Sequence, residues 1–449
     1  MLKILKNLKR FTVVVPLHSL QQPVFKRYLL QAVEPVDTGT MAEVTTKLMS
    51  QLDVDIGYQA EEKKRDHLLK YIPKREDLPP RSMTESYIMA TIPLRTDKAM
   101  QEKYVNNVGT VRLGRLIEAM DFFAIWVCQQ YVKIPNLPPN EHLPYIFVNI
   151  IVNSMNILGQ LPSYDKDLRI SGYVSSVGET SLEVSVWVHL INGKAMSKIT
   201  HGNFLMAARN ATNTGSAPVN PLKLETEEEK KISEEAKMRT KFRKESQKAS
   251  VWQKKPTQEE HDLIYDFVEK TTDKQTLELN KRILPENGRW MSDSYALNNI
   301  MSFPENRNAQ NTAFGGFLMR NAFEISFITA FKHCKIRPTL EYAFEFSFDK
   351  PVAIQSLLRM LAYIIYVEKN YMLVMAINDV LEPTTTEKIT SNVSYFIFSG
   401  SKGDVQQIYP RSYHEALLYI HGRRKFQNAN LSSRPDNAVT EKQSENICK

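Results

Sequence analysis

Cysteine is scarce in these 449 residues: Cys128, Cys334 and Cys448 are the whole complement, too few and too scattered for a disulfide framework or a zinc site. A reducing compartment follows. No apolar run is long enough to span a bilayer. The Gly-x-Ser-x-Gly stretch that a serine hydrolase carries after a strand is missing as well. His189 and His201 alternate with apolar residues on strand-like runs, and His333 ends a helix-like one. None has a partner at catalytic spacing, so core or surface roles are expected of them. Residues 1–40 hold six basic side chains, Lys3, Lys6, Lys9, Arg10, Lys26 and Arg27, against Glu34 and Asp37, which is four of the net +8 charges. The rest of the chain is only mildly basic, which lends nucleic acid binding little support.

What is present begins with that N-terminus. On a helical wheel Leu2, Ile4, Leu5, Leu8 and Phe11 share one side and the early basic residues the other. A basic, acid-poor amphipathic segment of about 40 residues reads as a mitochondrial transit peptide. From Met41 to Arg81 the pattern is helical but charged, closed by Pro73, Pro79 and Pro80, and residues 41–84 form a lead-in.

The organising stretch lies later, at Asn311-Thr-Ala-Phe-Gly315-Gly316-Phe-Leu-Met319. Two glycines running into an apolar helix let another group approach the helix's first unpaired N–H groups, which makes an anion or oxyanion site. The helix is apolar on every face through Phe331, so burial is expected. The same arrangement occurs earlier as Gly109-Thr-Val-Arg112-Leu-Gly114-Arg115-Leu-Ile-Glu118-Ala-Met-Asp121. Laying Leu113-Gly114 over Gly315-Gly316 puts Asp121 on Phe323 and Gly109 on Asn311. The halves look duplicated, yet one keeps an acid and the other an amide.

The surrounding pattern repeats too. In the first half (residues 85–210) a strand at 86–93 precedes a helix at 113–131, then strands at 145–158, 168–175, 181–190 and 195–207 with turns at Gly178-Glu179 and Asn192-Gly193. In the second half (residues 285–400) the corresponding elements fall at 294–303, 315–333, 342–348, 355–367, 371–378 and 388–398. Between them, residues 211–284 combine a Ser/Pro/Asn/Gly linker with a densely charged run read as a solvent-exposed helix. Residues 401–449 hold a short helix from Tyr413 and a polar tail expected to be disordered.

A long helix wrapped by an antiparallel sheet, present twice, is an α+β tandem hotdog. At this point the Gly109–Asp121 and Asn311–Arg320 motifs, with the basic N-terminus, resemble the mitochondrial acyl-coenzyme A thioesterase 9/10 group over nearly the whole chain outside the linker and tail. The resemblance implies hydrolysis of acyl-coenzyme A to fatty acid and coenzyme A in mitochondria, without metal or organic cofactor, in a homo-oligomer. It also implies one site between the halves, with Asp121 and Asn311 catalytic. Phe323 stands where single-domain relatives carry the acid, so a second site is not expected. Backbone amides at Gly315 and Gly316 would stabilise the developing oxyanion, and Asp121 would activate water or attack directly. Arg112, Arg115, Arg209 and Arg320 lie near helix starts or a strand end, where coenzyme A phosphates could be met. A hotdog dehydratase would carry a histidine at a helix start, which neither half has. A non-catalytic acyl-coenzyme A binding protein is the remaining rival, and the retained Asp121 and Asn311 argue against it.

Overall fold

The computed structural model describes residues 33–429, apart from 55–56, 58–63, 158–160, 194, 277, 279–280, 309, 349, 383, 386, 401–402 and 404. Most of the segment 1–40, expected to be a transit peptide, and the end of the C-terminal tail therefore lie outside the described residues. Residues 36–40, inside that segment, already belong to the fold.

Two long helices occupy the middle of the molecule because their sequences leave them no polar face to show to water. The first, α3 (Leu113–Tyr131), follows α1 (Met41–Gln51) and α2 (Lys98–Tyr104), and nearly all of its side chains are buried. The second, α6 (Gly315–Cys334), follows α4 (Glu227–Lys248) and α5 (Gln258–Thr271). Around each helix curls an antiparallel meander whose strands alternate inward apolar residues with outward ones. The first half uses β3 (Ile88–Ile92), β4 (Tyr145–Ile157), β5 (Leu168–Val177), β6 (Ser181–Asn192) and β7 (Ala195–Asn210). Its counterpart uses β10 (Tyr295–Met301), β11 (Thr339–Ser347), β12 (Leu357–Glu368), β13 (Tyr371–Leu381) and β14 (Lys388–Ser399).

With β1 (Val36–Thr40), these make one eleven-stranded sheet among the described residues, in the order β1-β3-β5-β6-β7-β4-β11-β14-β13-β12-β10. The order is a palindrome of equivalent strands about the β4–β11 junction, with β1 added at one end. At that junction Phe344 faces Ser154 and Phe346 faces Val152 in antiparallel register, so two meanders become a single sheet with a pseudo-two-fold axis between α3 and α6. This is the tandem hotdog expected from the sequence. Four short strands, β2 (Arg81–Ser82), β8 (Leu222–Lys223), β9 (Gly288–Trp290) and β15 (Gln407–Tyr409), pair off outside it.

Two expectations need correction. The charged helix α4 is not a free linker: Ile232, Ser233 and Ala236 are buried, and Arg239 reaches Glu183 on the outer face of β6 at 2.5 Å. The charge run concealed one amphipathic stripe, because a helix needs only a few small or apolar residues at three- and four-residue spacing to dock. A second added helix, α7 (Tyr413–Ala429), packs on β12 of the second half. The other correction concerns α6, whose Ile328 and Phe331 are 47% and 44% exposed. One flank of this helix faces water.

The Arg239–Glu183 pair holds α4 to the sheet with both side chains nearly buried, at 12% and 4% exposure. Removing one member of such a pair leaves a buried charge without its partner, which costs about 3–5 kcal/mol. Arg239→Ala should therefore lower the thermal unfolding midpoint clearly; an unchanged midpoint would contradict the docking role of α4.

Candidate active site

The helices α3 and α6 cross on the pseudo-dyad, and the residues at the crossing can be compared in equivalent pairs offset by 202 positions. At one end Gly316 comes so close to α3 that an added Cβ would lie 3.0 Å from the Cα and carbonyl oxygen of Glu118 and from the Asp121 Cβ. At the other end a Cβ added to Gly114 would lie 3.1–3.3 Å from the side chains of Arg320, Phe323 and Glu324. Glycine at these positions is what lets the helices touch. Between the two ends the equivalent residues Glu118 and Arg320 pair directly at 3.1 Å, and Arg115 adds a second contact to the same carboxylate at 2.6 Å.

Asp121 is 1% exposed. Its Oδ2 accepts the Gly316 N–H at 2.5 Å, and its Oδ1 accepts Asn149 Nδ2 at 2.7 Å. Gly315 is near enough that a Cβ there would meet Oδ2 at 3.3 Å and the Phe348 ring at 3.2 Å. A carboxylate from the first half thus sits at the N-terminus of the second half's helix, where the helix dipole favours negative charge. Burial nonetheless dominates and raises the Asp121 pKa to about 6, opposed by the hydrogen bonds from Gly316 and Asn149 and reinforced by the nearby Glu118. A group poised there is ionised at neutral pH yet basic enough to take a proton.

The equivalent end carries no such chemistry. Phe323 replaces Asp121 beside Gly114 and packs into Phe327, Phe396 and Phe398. The neighbours have diverged in the opposite sense. The Phe122 and Phe314 rings meet beside Asp121 with centroids 4.3 Å apart and planes tilted by 41°, and their equivalents Glu324 and Arg112 form an ion pair at 3.0 Å at the Phe323 end. Apolar rings therefore screen the Asp121 carboxylate, and a salt bridge about one-third exposed marks the Phe323 end.

The residues expected from the sequence separate on this frame. Asp121, Gly315 and Gly316 meet. Asn311 is exposed, has a left-handed φ of 54°, and its carbonyl accepts the Ile354 N–H. Its equivalent Gly109 also has a positive φ, 78°. Both turn the same loop, in which a preceding asparagine, Asn106 or Asn308, accepts the backbone N–H of Thr110 or Thr312. The amide bonded to Asp121 belongs to Asn149, which the sequence reading missed. Its signal was an Asn within the otherwise apolar run Tyr145–Val152. Arg112 and Arg320 pair with Glu324 and Glu118 across the helix crossing, Arg115 pairs with Glu118 within α3, and Arg209 donates to the side chain and carbonyl of Asn213. Among the described residues no group of three or more His, Cys, Asp or Glu side chains could hold a metal ion, and no helix is long and apolar enough to cross a membrane.

Gly316→Ala would push a methyl group into the backbone of α3 and separate Asp121 from its amide. Loss of most hydrolytic activity with a lowered unfolding midpoint is expected. An alanine variant with unchanged activity and stability would show that the close approach is not required. Phe323→Leu, in contrast, should cost about 1 kcal/mol of stability and leave kcat within a factor of two; a large selective loss of rate would place chemistry at that end too.

No family model matches the chain. Among individual proteins, it is 33% identical to acyl-coenzyme A thioesterase 9, mitochondrial, of Bos taurus over 79% of this chain and 80% of that one. The human protein of the same name is 32% identical over 82% of both chains, and mouse acyl-coenzyme A thioesterase 10, mitochondrial, is 32% identical over 82% and 83%. Of solved structures, an acyl-CoA hydrolase from Staphylococcus aureus superposes over 36% of this chain and 99% of its own with a TM-score of 0.30 and 26% identity. On a third identity across four-fifths of both sequences, this chain belongs to the mitochondrial acyl-coenzyme A thioesterase 9/10 family.

Proposed function

We propose that the chain hydrolyses fatty acyl-coenzyme A to the free acid and coenzyme A at one composite site per chain, formed where α3 and α6 cross. The observation that carries this reading is the Asp121 carboxylate, buried and bonded to the Gly316 amide of the other half, with its pKa raised to about 6. Asp121 acts as general base on a water, and that water has a second anchor within reach. Asn149 gives its amide N–H to Asp121, while its Oδ1 is buried with no donor among the described residues. An acceptor in that position holds the water by its other hydrogen.

The thioester carbonyl enters over Gly315, which has no side chain to block it, from the loop that Asn311 turns. Negative charge on the tetrahedral intermediate then develops at the first turn of α6, where unpaired N–H groups and the helix dipole stabilise it. Gly316 itself anchors the carboxylate. Of the four arginines, Arg209 is met by neutral oxygens of Asn213 and keeps its charge for a coenzyme A phosphate. Arg112, Arg115 and Arg320 hold the helix pair together and reach the cofactor portion of the substrate only at the rim. Location in mitochondria, as in the relatives' names, and assembly of several copies complete the reading.

Asp121→Asn tests it. Hydrolysis of acyl-coenzyme A should fall by at least about a hundredfold. In the parent protein kcat/KM should rise with pH through about 6 and level off, since the base must be ionised. The sign for stability is opposite. Because the folded pKa lies above the unfolded value of 3.8, the native state binds the proton more tightly and loses stability as pH rises from about 4 to 6. The amide variant should then melt higher than the parent at neutral pH. A folded Asp121→Asn enzyme of normal activity would overturn the role given to this carboxylate, and a protein that binds acyl-coenzyme A without turnover would favour the binding-protein reading.

A further inference from the structure

Gly315 lacks a side chain for a reason that its backbone does not supply. It opens α6 without the positive φ that calls for glycine, and the equivalent position in the first half holds Leu113, 4% exposed. What distinguishes Gly315 is the space above it. An added Cβ would meet Asp121 Oδ2 at 3.3 Å and the Cε1 and Cζ atoms of the Phe348 ring at 3.2 Å. A single carbon placed there touches both the carboxylate and the ring. Leucine occupies the equivalent point at the silent end, whereas beside Asp121 it is left as a slot no more than one carbon atom wide.

Asp121 is 1% exposed, so a thioester reaches it only if one wall of this slot gives way. Three aromatic rings stand near the carboxylate. Phe122 belongs to α3, and Phe314, 3% exposed, is fixed at the start of α6 by its N–H to the Asn306 carbonyl and by its own carbonyl, which accepts the Leu318 N–H. Phe348 is held differently. It follows the last residue of β11, is half-buried, and its backbone N–H donates to the Ile150 carbonyl at 3.2 Å. Ile150 itself follows Asn149, the residue bonded to Asp121. Farther along, the chain is pinned to the loop that leads into α6, with the Ala313 N–H on the Val352 carbonyl at 2.8 Å and the Ile354 N–H on the Asn311 carbonyl at 2.9 Å. The backbone that carries Phe348 is therefore tied to the same strand and loop as the site. Its ring is the wall that rotation about a side-chain bond can move.

We propose that Phe348 is a specificity-determining residue of the hydrolytic site: its ring closes the slot over Gly315 in the empty protein, turns aside for the thioester, and disfavours acyl groups branched at the carbon next to the carbonyl. This role presupposes the composite site at the α3–α6 crossing. A planar carbonyl with a CH2 group beside it asks for the smallest displacement of the ring. A second substituent on that carbon asks for more, and the backbone that carries the ring does not follow. Glycine at 315 gives the thioester its room, and phenylalanine at 348 sets how much.

The test compares kcat/KM for two substrates on each preparation of the full-length chain: an unbranched acyl-coenzyme A of the length the parent hydrolyses fastest, and its 2-methyl analogue. A ratio taken on one preparation is insensitive to loss of folded enzyme. One methyl group against an apolar wall is worth roughly tenfold or more in kcat/KM, so Phe348→Ala should raise the ratio of branched to unbranched substrate by about tenfold. Phe348→Leu should raise it by less, and Phe348→Trp should lower it. Phe331→Ala, at a 44% exposed ring on the outer flank of α6, should leave the ratio at the parent value. A ratio unchanged in Phe348→Ala and Phe348→Leu, or moved as far by Phe331→Ala, would overturn the role of the ring. Failure of the site itself shows elsewhere. Hydrolysis that survives Asp121→Asn would remove the slot from the reaction and this proposal with it, whereas loss of hydrolysis there, with unaltered selectivity in the Phe348 variants, would remove the ring's role alone.

Discussion

The contact between the Asp121 carboxylate and the Gly316 amide is the constraint on which the rest of the structure turns. It spans 195 positions of sequence and joins the two halves at the point where their helices meet. For it to form, glycine must stand where α6 touches the backbone of α3, since any Cβ would meet Glu118 at 3.0 Å. The single sheet through β4 and β11 must also hold the helices in register. Burying a carboxylate is costly unless it is hydrogen-bonded, and here both oxygens are satisfied, one by each half's own contribution to the seam.

Duplication followed by divergence accounts for the asymmetry in physical terms. Two identical halves would present two identical ends at the crossing, and three pairs of equivalent positions there have moved apart in polarity. Asp121 is matched by Phe323, Phe122 by Glu324 and Arg112 by Phe314 at the equivalent positions of the other half. The result concentrates desolvation at one end, which is what raises the Asp121 pKa, and solvation at the other, where Arg112 and Glu324 remain about one-third exposed. Glu118 and Arg320, equivalent to each other, neutralise one another in the middle. Arg112 and Arg320, offered by the sequence as phosphate ligands, also pair with Glu324 and Glu118 across this crossing.

Much of this was legible in the sequence, and the limits have identifiable causes. Helices with no polar face and strands with period-two alternation announce themselves, so both central helices and all four long strands of each half fall within a few residues of their expected limits. The duplication was visible because glycines are needed at equivalent points. Asn149 was hidden because its partner is set by strand register against α3, which no local pattern encodes. At Asn311 and its equivalent Gly109 the backbone makes the same left-handed turn, which both residue types tolerate. α4 looked like a solvated charge run because one buried stripe of Ile232 and Ala236 is diluted by its charged neighbours. The exposure of Ile328 and Phe331 could not be foreseen, since composition says that a flank is apolar but not whether anything covers it.

On the proposed mechanism the carboxylate buried at the seam works near neutral pH because burial raises its pKa to about 6. It is read most directly by carbon-13 NMR of protein labelled at aspartate carboxyl carbons, titrated beside the Asp121→Asn variant. One resonance should titrate near pH 6, vanish in the variant, and share its midpoint with the pH dependence of hydrolysis. An Asp121 carboxyl titrating near its ordinary value of 3.8, or a midpoint of hydrolysis unrelated to it, would contradict this account of the site.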